Sequence, residues 1–386
     1  MATATVRPAK GAEDELVRMM RMMATRMPWS LGTQYVEAAG LHVSRGWKET
    51  IEAAKSRLPV DAAYAKAKAL LHEALVTHTF VGNKQVIWYG MNFMAPDVQK
   101  AVRAWALDTN KAPLVDPGMK GFNVADAPTT SDGLETLIGK APRIVAARLN
   151  ASDQFVVHFF GARAYTSRET IDVSQWPAEQ RNRIGDYFEL IGLKARNVPT
   201  FDTVVFDLPR SRVELRIDVQ PGMTSDGQGG AHLYLIEALN RVLFPLIKAS
   251  PMGQGLVNLF PAVDKIYRDK KAGQVESLGF VATGETTSSN NTGQVHRRRG
   301  QDLREDPFHT GGRGAVKSVK PYSIGTSWEA PSKMDKLLLE LKGSVRMIHG
   351  LRPALIQQAN FLGCATGTDF DFLSDMLAEH LLQPKK

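Results

Sequence analysis

The sequence predicts an α+β fold: a central, mostly antiparallel sheet built from successive β-hairpins, each followed by a packing helix, with helical regions at both ends. Three observations predict it. Residues 144–149 with 155–164, and 201–208 with 213–219, alternate apolar and polar side chains at strand period around short polar turns. A helical pattern follows each pair, opened by Pro177 in the first case and spanning 231–246 in the second. Apolar stripes at helical spacing then fill the two ends of the chain. Hairpins in sequence, each followed by a helix, put helices against one face of the sheet.

Composition bounds the answer. The 386 residues are long enough for two or three domains, and 43% hydrophobic with 23% charged residues is ordinary for a globular protein. A net charge of +8 turns the expectation toward polyanionic partners. The single cysteine, Cys364, excludes an internal disulfide framework and a thiolate-rich zinc site, and the histidines have no ligand-like spacing. A reducing, cytoplasmic setting follows as the default. No run approaches the roughly 18 apolar residues of a membrane span, so no membrane partner is expected.

In order, residues 1–11 read as a disordered leader. Residues 12–108 form a helical region with one hairpin. Its first helix, 12–27, carries Leu16, Met19, Met20, Met23 and Met27 on one stripe, a core face or a contact for a second copy or another protein. Helices follow near 47–58 and 61–76. Residues 77–91 read as a hairpin turning at Gly82 and Asn83, and Pro96 opens a helix with Val98, Val102 and Trp105 in line. Residues 109–133, rich in Pro, Gly, Asp and Thr, read as a linker.

Residues 134–330 form the hairpin-and-helix domain. The helix from Pro177 turns Ile184, Tyr187, Phe188 and Ile191 inward. In the second hairpin a turn at 209–212 pairs Phe206 with Leu215 and Val204 with Ile217. That register sets Asp207 opposite Glu214 and Thr203 opposite Asp218. Like charges in register destabilise a hairpin, so the pair calls for Arg216 or a divalent cation as compensator. The loop 221–230 is Gly-rich and precedes a helix, but lacks both the Gly-Lys-Ser/Thr of a P-loop and the dinucleotide-binding spacing. Farther on, a basic helix near 261–271 stops at Gly273. A strand over 275–281 returns over 316–324, and between them residues 284–314 form a long mobile loop, too polar and Gly-rich to bury a core. Residues 331–386 read as C-terminal helices, with Met334, Leu337, Leu338, Leu341, Val345 and Ile348 as one stripe and further helices at 353–362 and 369–382.

Two constellations carry chemistry. Between Arg297 and Lys320 stand seven basic residues (Arg297, Arg298, Arg299, Arg304, Arg313, Lys317, Lys320) against three acids, a net +4 on one arm. With Lys265, Arg268, Lys270 and Lys271 at the basic helix end, they predict phosphate contacts to DNA or RNA, with Phe308 and His309 as base-stacking rings. The leading expectation is therefore a non-enzymatic nucleic-acid-binding protein that needs no cofactor. The second constellation is the acidic hairpin. Asp202, Asp207 and Glu214, with Leu215 and Arg216 following, resemble the site of restriction-endonuclease-like nucleases over residues 188–246. That family holds magnesium with an Asp on one strand and a Glu on the next, and carries a Lys two residues beyond the Glu. The resemblance implies a Mg-dependent nuclease with Asp207, Glu214 and Arg216 as catalytic residues and Asp202 as a substitute ligand. Arg216 stands where the family has Lys; it keeps its proton and would act only electrostatically. A third expectation is an assembly subunit gripping neighbouring chains through the first helix and the 284–314 loop.

Overall fold

Among the described residues ten strands hydrogen-bond into one sheet, and every neighbouring pair is antiparallel. The computed structural model describes residues 14–382 except 57, 109–113, 117, 129–130, 151, 175, 186–189, 220–229, 249–254, 284–292 and 298–299. The strands are β1 Lys84–Gly90, β2 Arg143–Leu149, β3 Gln154–Thr170, β4 Ile191–Asp207, β5 Arg212–Asp218, β6 Gln274–Thr283, β7 Gly293–Arg297, β8 Ser318–Glu329, β9 Lys336–Leu341 and β10 Ala359–Leu362. Their order across the sheet is β2-β3-β4-β5-β1-β10-β9-β8-β6-β7. The principal helices are α1 Glu15–Arg26, α2 Trp29–Ala38, α3 Trp47–Ser56, α4 Asp61–Val81 and α5 Pro96–Leu107. The short α6 Ser131–Glu135 and α7 Ala178–Ile184 precede α8 Ala231–Ile247 and α9 Phe260–Arg268. Then come α10 Pro307–Gly314, α11 Arg346–His349 and α12 Gly367–Leu382. No described helix is long and apolar enough to cross a membrane.

Helices lie on both faces of the sheet, not on one. Odd residues of β5 (Val213, Leu215, Ile217) join Val204, Phe206 and Phe155 in a core closed by α5 and α8. On the opposite face, α1, α3 and α4 cover Phe160 and Phe201, while α9 and α12 cover Val86, Trp88, Leu339 and Phe361. The second hairpin keeps its predicted faces but slips two residues: Val204 pairs with Leu215, Phe206 with Val213, and Asp207 with Arg212. A two-residue slip preserves which side chains point inward. The turn moves to Leu208–Ser211, with Ser211 at φ 51° and Leu208 buried. An acid now faces a base, where the predicted register put acid against acid.

Several other expectations change. The stretch 77–91 is not a hairpin: α4 continues to Val81, and β1 finds its partners in β5 and β10, more than a hundred residues away. That places a strand from the first predicted region at the centre of the sheet. Within residues 118–128 of the predicted linker the chain packs down, with Met119, Val124 and Ala125 buried under α1 and α4. The helix predicted over 334–348 is β9, where Leu337, Leu339 and Leu341 are buried and alternate with more exposed neighbours. Consecutive leucines fit either period, and the open edge of β8 decided for a strand. The helix predicted at 353–362 is likewise β10, while the last helix forms as expected.

The methionine stripe of α1, capped by Asp14, is fully enclosed by this chain's own α3 and α4, so it offers no partner surface. The leader lies outside the described residues, as do 221–229 of the Gly-rich loop. The helix from Pro177 ends at Ile184 and buries nothing, and Ile191 instead opens β4. Beyond Gly161 and Thr200, β3 and β4 pair only with each other and project as a ribbon whose Ile191 and Leu193 are 53% and 69% exposed. The predicted mobile loop 284–314 holds the edge strand β7 and the helix α10, tied down by buried Leu303 and His309. Gly273 adopts φ 64° at the entry to β6, where a Cβ would run into the Ser327 carbonyl oxygen.

Candidate functional site

Two charged regions emerge, one inside the molecule and one outside. The inner one lines the sheet face shared by Lys84 of β1 and the even residues of β5. Lys84 has no exposed surface; its Nζ donates to the Thr79 and Phe201 carbonyls at 2.7 and 2.8 Å and to Asp218 Oδ1 at 2.8 Å. Arg26, from the end of α1, donates through Nη2 to both Asp218 oxygens at 2.8 and 2.9 Å and lies over the Phe201 ring. Burial pulls the Lys84 ammonium down to about 8 against the opposing pull of Asp218. Burial alone would raise the Asp218 carboxyl, but Arg26 and Lys84 outweigh it and hold the group well below the usual range. Burial also keeps His78 and His158 neutral, at about 4 and about 3, with Arg26 reinforcing the first and Arg148 the second.

The acidic hairpin belongs to the same interior. Glu214 takes Arg216 Nε and Nη2 on one oxygen at 2.9 and 2.7 Å, and Arg212 Nη2 on the other at 2.5 Å. Burial raises its carboxyl, and Arg216 and Arg212 more than reverse that. Each arginine is backed by a ring 3.9 Å away, Arg212 by Trp88 and Arg216 by Phe370 of α12, and Ser374 Oγ donates to Glu214 at 3.2 Å. Asp207 accepts from Arg210 at 3.0 Å and from Gln154 at 3.3 Å. Asp202 stands on the opposite face of β4, paired with Arg163 and accepting the Asp218 amide at 2.8 Å. The residues of the predicted metal set are thus buried, split between two faces and committed to arginines. Among the described residues no group of three His, Cys, Asp or Glu side chains is placed to hold a metal ion. Cys364 is buried, and burial pushes its thiol far up.

The outer region is a cleft of about 300 Å³ between α9 and the segment joining α10 to β8. Tyr267, Arg268, Arg313, Val316, Lys317, Ser318 and Val319 line it, three of them cationic and none acidic. Apolar spacing positions α9: Ala262, Val263, Ile266 and Tyr267 face the core, which turns Arg268 to the rim. Arg268 shares an exposed contact with Asp264 at 2.9 Å. α10 starts where Asp306 accepts the amides of Phe308 and His309 and Pro307 fills the first turn. His309 anchors it, buried with its Nε2 2.9 Å from the Tyr267 hydroxyl, and Arg313 lies 5.7 Å from the Tyr267 ring centre.

The predicted phosphate contacts therefore divide. Arg268, Arg313 and Lys317 converge on the cleft, and Lys270, Lys271 and Lys320 are exposed. Arg304 turns inward instead, pairing with Asp302 at 2.6 Å and donating to the Ile266, Asp269 and Gly273 carbonyls. Lys265 donates to the Leu381 carbonyl at 3.2 Å near the end of α12. The Arg297 backbone closes β7, while Arg298 and Arg299 lie outside the described residues. Sequence reasoning missed the inner roles of Lys84, Arg26 and Asp218; an isolated Lys beginning an apolar run, Lys84 before Val86, Ile87 and Trp88, was the one signal available. The chain matches no protein-family model and no curated protein.

Proposed function

We propose that the protein binds nucleic acid without cleaving it, through the cationic cleft between α9 and β8. One observation supports this reading above the rest. Three basic side chains, from positions 268, 313 and 317, meet around a single cleft whose described lining holds no carboxylate. Cations left exposed draw phosphates and release counterions. The exposed Lys270, Lys271 and Lys320 extend the same field, and the sequence adds the run of Arg297, Arg298 and Arg299. Arg268 keeps this capacity despite Asp264, because an exposed ion pair is worth only about 0–1 kcal/mol.

The experiment is a titration of fluorescent oligonucleotides at several salt concentrations. Three neutralised phosphates give a log–log slope of about −2 on a single strand. The triple variant Arg268→Glu, Arg313→Glu and Lys317→Glu is expected to abolish binding while keeping its thermal midpoint, and the oligonucleotide is expected to stay intact with magnesium. No binding at low salt would overturn the reading. Magnesium-dependent cleavage lost in Glu214→Gln would replace it with the hydrolytic one.

A further inference from the structure

We infer that the outer face of α8 docks on the same face of a second copy of this chain, antiparallel about a twofold axis at the level of Leu239. The make-up of that face carries the inference. α8 lays Ala231, Leu235, Leu239 and Leu243 into the core that it shares with α5 and β5. A helix that only covers a sheet turns polar residues to water, as α9 does with Asp264 and Arg268. α8 does not. Leu233, Tyr234 and Phe244 are 60%, 48% and 53% exposed, and Pro245 is exposed beside them. Steps of four and seven residues link 233, 237 and 244, and likewise 234, 241 and 245, so the two rows run side by side on one surface.

The charges in that face point to what covers it. Between the two apolar ends, the described exposed residues are Glu237 and Arg241. Their contact within the helix, at 3.0 Å, is largely exposed and contributes little by itself. Glu237 stands two residues before Leu239 and Arg241 two after it. Leu233 and Tyr234 stand six and five before, Phe244 and Pro245 five and six after. A twofold axis there sets Glu237 against Arg241 of the second copy, and each Leu233–Tyr234 end against a Phe244–Pro245 end. An isologous contact requires a patch that complements itself in this way. A parallel pairing would lay Glu237 on Glu237, and an unlike protein would need no such symmetry. A face along 17 residues is about 25 Å long. That makes a small interface, of the kind that forms weakly and reversibly.

The test is sedimentation velocity on the full chain from about 1 to about 200 μM, alongside the single variants Glu237→Arg and Arg241→Glu. The native chain is expected to shift from monomer to dimer across that range. Each single variant puts like charges across the axis and is expected to weaken the dimer at least about tenfold. An equimolar mixture of the two restores opposite charges at both contacts and is expected to dimerise as the native chain does. Phe244→Ser, which strips one apolar end, is expected to weaken the dimer by about tenfold as well. A native chain that stays monomeric throughout, or single variants that dimerise as it does, overturns the inference. So does a mixture that gains nothing over its two components. Thermal midpoints equal to the native one at about 1 μM, where every chain is a monomer, keep folding out of the comparison.

Discussion

The inner sheet face and the outer cleft use the same residue types to opposite ends. Inside, Lys84 and Arg26 are desolvated around Asp218, and Arg212 and Arg216 around Glu214, so each cation is committed to a buried carboxylate. Outside, Arg268, Arg313 and Lys317 line a surface with no acidic neighbour in its lining. A charge taken out of water is stable only with its partner, and removing that partner is costly. A charge at the surface contributes little to folding and remains available to a ligand. Counting basic residues does not separate these cases; burial and pairing do.

The largest effect that would break the comparison lies inside. Asp218→Asn leaves Lys84 and Arg26 without their shared carboxylate and is expected to cost about 3–5 kcal/mol in urea unfolding. A loss under about 1 kcal/mol would mean that the network is not holding the sheet.

Acid should expose the same interior. Unfolding lets His78 and His158 return to about 6.5, while the folded chain keeps them at about 4 and about 3. Between those values the unfolded chain binds more protons, so stability falls as pH drops from 6.5 toward 4. Asp218 adds its own loss at lower pH, as protons reach a carboxyl that folding had held down. Removing a histidine's titration with His78→Gln should flatten the upper part of that slope in equilibrium unfolding across pH. An unchanged slope would show that His78 takes up no proton on unfolding there.

Two arginines nine residues apart sharpen the contrast. Arg304→Met strips Asp302 and three carbonyls of their donor and should destabilise by about 2–3 kcal/mol. Arg313→Met should stay within about 0.5 kcal/mol in the same measurement. Equal costs would place both residues in the same class. Smallest of all, the triple cleft variant Arg268→Glu, Arg313→Glu and Lys317→Glu should lose oligonucleotide binding with its thermal midpoint unmoved.

Local pattern carried part of this. The α+β class, the hairpin of β2 with β3, the antiparallel return of β8 on β6, and helices α1, α5, α8 and α12 were all legible, because period and end signals are properties of neighbouring residues. The basic residues of the cleft were legible as residue types. Arg304 was grouped with them, although its guanidinium turns inward. The same local signals failed where two periods fit equally well, as at Leu337–Leu341, and where a strand's partner was remote, as for β1.

What the sequence determined by itself, then, was composition, the alternation that fixes each strand's two faces, and the helix start at Pro96. Tertiary structure decided the rest. It chose the register that sets Asp207 against Arg212 and carried Lys84 across to Asp218. It also closed α12 over Glu214 and brought position 268 to positions 313 and 317. All but the hairpin register depend on which surfaces meet after the chain has folded back across more than forty residues. No local period encodes that, and burial, which is set only then, decides whether a charge supports the fold or faces a ligand.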